Sequence, residues 1–534
     1  MKIFTGGRIY TLDPARPVAE ALAVRDGRIV AVGASAELAR AWAGAARVDL
    51  GGRTVLPGFV DSHIHLAGYG FSLTRVDLRA ARTPAEAVAQ VAAVVARHPP
   101  GEWVLGRGWD KNVWPDGRLP TRADLDPVSP RHPVALGSKD GHLLWVNSLA
   151  LRLAGVDRRS PDPPGGEIVR DHAGEPTGVL KERATDLVWR IIPPPDEQAV
   201  ERAIAQAVAA LHERGIVGVH AMAGTDPADG ELTLRACRRL ADAGRLRLRV
   251  WVALPLSVLD EAAETGLRTG VGDDWVRVGP VKIFADGTLG SQTASMLEPF
   301  DGQPDNTGIA VLDREELIDA LGRAVEAGWW CAVHAIGDRA VRWTLDACEA
   351  HHDASRRRGA RHRIEHAQLV HPDDVPRLAA LGVVASMQPV HCPSDREVAE
   401  RYWGRRCRWA YPWRSLREAG VVLAFGSDAP VEPPGVLEGL HAAVTRRRPG
   451  APAEAAWHPE QALTLEEAVR AYTLGAAHAT GEDRTRGALG PGRAADCVVL
   501  SDDPFAGTPD DLLRIRVVAT VVAGEVVYAG PGWG

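Results

Sequence analysis

The stretch GFVDSHIH, residues 58–65, is an apolar strand that closes on two histidines two positions apart. Side chains alternate with period two along a strand, so His63 and His65 point to the same face. The pattern recurs down the chain. GIVGVHAM (215–222), RLRVWVAL (247–254), VRVGPVKIFADG (276–287), WCAVHAI (330–336), HRIEHAQ (362–368), GVVASMQP (382–389) and VVLAFGSDAP (421–430) bring the apolar runs to eight. Most are preceded by a segment with apolar residues three and four apart, the period of a helix. Strand and helix in alternation predict parallel β-α units, since a parallel crossover needs about a dozen residues. Eight such units close into a (β/α)₈ (TIM) barrel.

The two ends of the chain have a different texture. Lys2 to Leu12, then ALAVRD and RIVAVG joined at Asp26-Gly27, read as short strands with a tight hairpin turn. CVVLSDD and RVVATVVAGEVVYAG, the latter turning at Ala523-Gly524, repeat that texture at the other end. Neither end can build a core alone, so together they are expected to form one small β-sandwich, residues 1–56 and 484–534, around an α/β barrel over 57–483. About 66–195 is too long for one crossover and predicts an inserted subdomain, with strand-like EWVLGRGWD and HPVALGSKD and helix-like TPAEAVAQVAAVVARH.

Composition narrows the function classes. A net charge of −7 with no long basic run argues against nucleic acid, and Arg446-Arg447-Arg448 reads as a solvated loop. Six scattered cysteines without a C-x-x-C pair suit free thiols in a reducing compartment. Neither a signal-peptide h-region nor a run of about 18 apolar residues is present, so a cytoplasmic chain with no membrane partner is expected. A small-molecule substrate and a homodimer are the expected partners.

The chemistry gathers where the strands end. Barrel enzymes place their active sites on the C-terminal rim. His334 ends the fifth run, His366 the sixth and Asp428 the eighth, on the rim that carries His63 and His65. Imidazole and carboxylate suit a first-row divalent ion, with zinc the default. A core histidine or a capping aspartate would explain each residue singly, but not five together. Lys282 is one of only five lysines and sits between Val281 and Ile283. A buried ammonium without a partner loses its charge or costs several kcal/mol. Carboxylation by CO₂ would make it a carbamate able to bridge two metal ions; snorkelling, or pairing with a carboxylate such as Asp286, is the alternative.

HIH, an internal Lys, AVHAIGD, RIEHAQ and GSDAPV, in this order, resemble the amidohydrolase superfamily. KIFADGTLGSQTA, the SMQP run, GWDKNVWPDGRLPTRADLD and DGHLLWVNSLAL resemble its YtcJ-like branch, which includes N-substituted formamide deformylases. The likeness runs from about Leu12 to Val527. It implies that His63 and His65 bind the more buried ion and His334 and His366 a second, with Lys282 bridging. Asp428 would touch the first ion and the attacking water. Cys392, after His391, departs from the small residue common there.

These residues point to hydrolysis of an amide-type C–N bond, with Asp428 as the catalytic proton carrier, and the resemblance implies an amide or formamide-type bond other than a peptide bond. Expected substrate contacts are Trp109, His142 and Asn147 of the insertion, read as a lid, with Ser291, Gln388 and His391 of the barrel. His220 faces the rim as a candidate outer residue. The same ligands would serve ester or lactone hydrolysis, deamination or isomerisation. A barrel that has lost catalysis is the reading from another class, and the complete ligand set argues against it.

Overall fold

Eight strands, Phe59–Ile64 (β1), Ile216–Ala221 (β2), Arg249–Pro255 (β3), Val276–Phe284 (β4), Cys331–Ala335 (β5), Arg363–His366 (β6), Val384–Met387 (β7) and Leu423–Phe425 (β8), form one sheet in chain order. The computed structural model describes residues 1–115, 117–138, 143–224 and 228–533. Each neighbouring pair of strands is parallel. Their residues are almost all buried, which is why they read as continuous apolar runs rather than as alternations. The ring closes from β8 to β1 through the bridge Ile64–Ala429, the Asp428 N–H on the His63 carbonyl (2.7 Å) and the His65 N–H on the Ala429 carbonyl (2.9 Å). Gly426 lies at this seam, where a Cβ would come within 2.5 Å of the His63 nitrogen. The connecting helices turn one face inward: Glu231–Asp242 buries Thr233, Ala236, Cys237 and Leu240, a three-four spacing.

The chain divides into two compact units, Met1–Tyr69 with Val200–Gly534 and Gly70–Ala199. In the first, the barrel is joined by two further sheets. One pairs Arg28–Gly33, Ala21–Arg25, Lys2–Thr5 and Ala46–Asp49; the other orders Glu525–Ala529, Val517–Val522, Cys497–Leu500, Thr54–Pro57, Arg8–Tyr10 and Val18–Ala19. Both ends of the chain therefore share a sheet, with Cys497 opposite Pro57. Phe4, Ile9, Leu22, Ile29, Val55, Val499 and Val521 make one core between them. Asp26 and Gly27 take φ of 50° and 73°, as a two-residue hairpin turn requires, and Arg25 pairs with Arg28. A buried bidentate pair, Arg249 on β3 with Asp496 (2.6 and 2.9 Å), ties the barrel to the strand Cys497–Leu500 that follows.

The second unit is a sheet in the order Gly166–Arg170, Pro176–Glu182, Leu143–Val146, Val134–Ser138, Val104–Trp109 and Val76–Asp77, packed with the helix Pro84–Val95. The insertion thus has its own apolar core.

Two expectations change. The Arg446–Arg448 run is not a solvated loop throughout. Helix Val436–Thr445 ends with Arg446 in the left-handed region (φ 53°), which turns that side chain inward. Its guanidinium donates to the Trp457, Tyr411 and Ala410 carbonyls and lies 4.6 Å over the Trp413 ring. Nor does Asp286 pair with Lys282. Its carboxylate accepts the backbone N–H groups of Ser295, Ile336 and Gly337 (2.9, 3.0 and 2.8 Å), holding the turn after β4 against the end of β5. The six cysteines are buried and unbridged. Among the described residues no helix is long and apolar enough to cross a membrane.

Candidate metal centre

His63, His65, Lys282, His334, His366 and Asp428 line one cavity of about 380 Å³ at the C-terminal ends of the strands. Asp428 Oδ1 lies 3.4 Å from His63 Nε2 and 3.3 Å from His65 Nε2. Ligand atoms of His63, His366 and Asp428 fall within 4.8 Å of one another. Ring centroids of His63 and His366 are 4.8 Å apart, and those of His366 and His334 4.5 Å.

Backbone strain helps to aim these groups. His366 and Asp428 have φ of 76° and 60°. Non-glycine residues in that region cost about 1–3 kcal/mol each and persist where surrounding structure enforces them. The left-handed turn at His366 breaks period two. Glu365 and His366, consecutive on β6, therefore both serve the centre: Glu365 Oε2 meets His63 Nδ1 at 2.6 Å, and His366 lines the cavity. Asp61 fixes the other strained position by accepting the Ser427 hydroxyl and N–H and the His63 N–H.

Each histidine has one ring nitrogen engaged and one left over. Nδ1 of His63 meets Glu365, Nδ1 of His65 meets Asp229 (2.8 Å), and Nδ1 of His366 meets Gln388 Oε1 (2.9 Å). His334 Nε2 donates to the Gly287 carbonyl (3.0 Å). This leaves Nε2 of His63 and His366 and Nδ1 of His334 as lone-pair donors, the arrangement that outer hydrogen bonds impose on metal-binding imidazoles, while Nε2 of His65 faces Asp428 Oδ1 at 3.3 Å.

Electrostatics agree with that role. Burial, reinforced by Lys282, pushes His63 down to about 4 and His334 to about 3. Burial, with the neighbouring His334 ring, holds His366 well below its ordinary value. These rings are neutral and free to ligate at pH 7. His65 differs: burial alone would lower it, but Asp229 and Asp428 raise it to about 9. For Asp428 burial works upward, and the surrounding imidazoles, His63 foremost, outweigh it and hold the carboxyl well below its usual range. Lys282 is fully buried, its Nζ 4.9 Å over the Phe284 ring, and desolvation brings it down to about 8. The donor set, four imidazoles, a carboxylate and an amine that burial pushes toward neutrality, fits a divalent cation.

Behind this layer lies a network the residue pattern did not announce. Arg363 pairs with Glu365 and donates to His220 Nδ1 (2.8 Å) and the Ser386 hydroxyl (2.6 Å). His220 is thus joined to His63 through Arg363 and Glu365, and it does not line the cavity. Glu365 is held well below the carboxylate range: burial would raise it, and Arg363, then His63, prevail.

The expected substrate residues separate. His391 lines the cavity, its ring parallel to His366 at 6.4 Å, and Gln388 holds His366 from behind. Ser291 is bonded within its own loop, to Thr288 and Thr293 at 2.9 and 2.6 Å, while Thr288, Leu289 and Gly290 line the cavity. Trp109 and Asn147, expected to meet substrate, are committed to the packing of the second unit. The Trp109 N–H donates to the Leu136 carbonyl (2.8 Å), and its ring packs against Trp114 and Trp145. Asn147 caps helix Ser148–Leu153 and uses its whole amide on Val134, Ala150, Ser129 and His132. His142 lies outside the described residues. The sequence pattern does not single out Asp229, Glu365 and Arg363, although Arg363 and Glu365 both stand in RIEHAQ beside a rim histidine.

With this geometry established, comparisons with known proteins give a family. The amidohydrolase family model matches residues 46–528. The chain is 31% identical to an N-substituted formamide deformylase of Arthrobacter pascens, over 98% of this chain and 97% of that one. It is 34% identical to YtcJ of Bacillus subtilis (strain 168), over 98% and 99%. Among solved structures, an uncharacterized metal-dependent hydrolase from Pyrococcus furiosus superposes with a TM-score of 0.78 at 32% identity, covering 94% of this chain and 99% of that one.

Proposed function

The chain belongs to the amidohydrolase family, and from that premise we propose that it hydrolyses a non-peptide carbon–nitrogen bond of the amide or formamide type. The observation that carries the reading is the convergence of six side chains from separate parts of the chain on one cavity, with Asp428 Oδ1 3.3–3.4 Å from two imidazole nitrogens. His63, His65 and Asp428 would hold one ion, zinc by preference, and His334 and His366 a second. Such an ion, when bound, lowers the pKa of water from 15.7 toward about 7 and polarises a carbonyl oxygen.

The chain's own residues supply the rest. Asp428, an ionised carboxylate at the centre of the cradle, takes a proton from the attacking water at Oδ1 and returns it to the leaving nitrogen. Glu365 and Asp229 orient His63 and His65. Lys282, whose ammonium is disfavoured by burial, presents the neutral amine that can add CO₂, forming an N–C bond and losing one proton to give a carbamate. The identity to the formamide deformylase supports an N-substituted formamide or a related small amide as substrate.

The test is a panel of formamides, acyl amides and esters offered to chelator-stripped protein and to protein reloaded with zinc or manganese. Amide cleavage only after reloading is expected. Cleavage of esters alone, or turnover indifferent to metal, would overturn the reading.

A further inference from the structure

The wall of the cavity beside His366 contains a carboxamide with no assigned task. Gln368 is 4% exposed and lines the cavity, yet its Oε1 has no hydrogen-bond partner. Its backbone is firmly held: the Tyr411 N–H donates to the Gln368 carbonyl at 2.7 Å, and the next residue, Leu369, donates to the Ile336 carbonyl at 3.0 Å. The backbone is thus fixed while the side-chain acceptor is left open. Asn147, equally buried, bonds through both ends of its amide. An orphaned buried polar atom is rare enough to need an explanation. His391 Nε2, also buried in this cavity, has no partner either.

The surroundings narrow what would satisfy them. Phe284, Leu289, Ile336 and Val431 give the cavity an apolar side. Among the described residues Lys282 is the only lysine or arginine that lines it, while Asp395 and Glu432 add negative charge. An anionic substrate finds no counter-charge there apart from the metal-facing groups. An uncharged molecule with an apolar substituent and a polar N–H fits both sides.

We infer that Gln368 is a specificity residue whose Oε1 accepts the N–H of the scissile amide, so that the site selects secondary amides over tertiary amides and esters. The inference rests on the C–N hydrolase reading. It adds a discrimination that the metal cradle cannot supply, because a carbonyl is presented alike by all three substrates. Leaving a buried acceptor unpaired costs enough to set a preference of about 10- to 100-fold.

The experiment uses the metal-loaded full chain and three matched probes: N-phenylformamide, N-methyl-N-phenylformamide and phenyl formate. In the wild type kcat/KM for the secondary amide should exceed that for the tertiary amide by about 10- to 100-fold. Gln368→Met, similar in shape but without the acceptor, should collapse that ratio toward one and lower phenyl formate hydrolysis far less than N-phenylformamide hydrolysis. Gln368→Glu, which keeps an accepting oxygen, should retain the discrimination, and it covers the case in which the Met variant does not fold. If the three probes fall together in Gln368→Met, or the wild type ignores the N-methyl group, the role of Gln368 is overturned while amide hydrolysis stands. If loaded wild type cleaves phenyl formate and neither amide, the C–N reading falls with it.

Discussion

Glu365→Gln removes one negative charge from a fully buried site and leaves the shape of the side chain nearly unchanged. Two consequences separate cleanly. Arg363, 1% exposed, loses the one ionised partner it has within bonding distance among the described residues and keeps His220, Ser62 and Ser386. Breaking a buried pair from one side costs about 3–5 kcal/mol; the three remaining acceptors place this case near the lower end. His63 loses the carboxylate that meets its Nδ1 at 2.6 Å. Loss of such an outer partner typically lowers metal affinity by about 10- to 100-fold. The assay is thermal unfolding in metal-free buffer for the first effect and zinc competition against a chromogenic chelator for the second. In the double variant Arg363→Met with Glu365→Leu, only part of the lost stability should return: apolar groups of similar volume can replace a buried pair, but the His220, Ser62 and Ser386 acceptors that Arg363 satisfies are left unpaired. The affinity should not return. Wild-type melting and affinity in Glu365→Gln, or recovery of both properties in the double variant, would refute the reasoning.

Three other perturbations probe different links. Asp428→Asn keeps a ligand oxygen but cannot carry the proton, so turnover should drop by about 10²- to 10⁴-fold while metal content measured by mass spectrometry stays near that of wild type. Gly426→Ala would bring a Cβ within 2.5 Å of the His63 nitrogen and 2.7 Å of Asp61 Oδ1 at the barrel seam, and should lower both the melting temperature and zinc affinity; a fully loaded variant would argue that the seam tolerates displacement. Asp496→Asn should cost about 3 kcal/mol at pH 7 by stranding Arg249. The sign of its pH dependence follows from its surroundings: burial works upward on the Asp496 carboxyl, and Arg249, joined by the Ala523 N–H and Arg486, outweighs it and holds the carboxyl below its ordinary value. Its contribution is present above the unfolded value near about pH 4 and is lost as pH falls through the lower folded value. Melting curves between pH 7 and 3 should therefore converge for wild type and variant at the acid end.

The barrel was legible because parallel strands buried on both faces announce themselves as apolar runs, and the helices between them keep a three-four spacing. The two-residue interval of His63 and His65 was enough to put both on one face. At His366 and Asp428 the same rule fails: both sit where the backbone is left-handed, at φ of 76° and 60°, and no glycine marks the place. Their inward aim could be guessed only from their positions at strand ends. For the same reason Glu365 is hard to read, since strict alternation puts it on the opposite face from His366. Trp109 and Asn147 show the reverse error. A tryptophan and an asparagine near a suggestive motif look like binding groups, yet their N–H and amide satisfy backbone of their own unit. Nor does a run of arginines carry a sign that one of them, Arg446, ends a helix and turns inward.

The central claim is that side chains from β1, β4, β5 and β6 and from the turn after β8 form one coordination sphere. Anomalous diffraction at the zinc edge, from crystals of the full chain soaked in zinc, tests it directly. One or two peaks are expected, with Nε2 of His63 and His65 at about 2.0–2.1 Å from the first and His334 and His366 nearest any second. An empty cradle in zinc-soaked crystals, or peaks only elsewhere on the molecule, would contradict it.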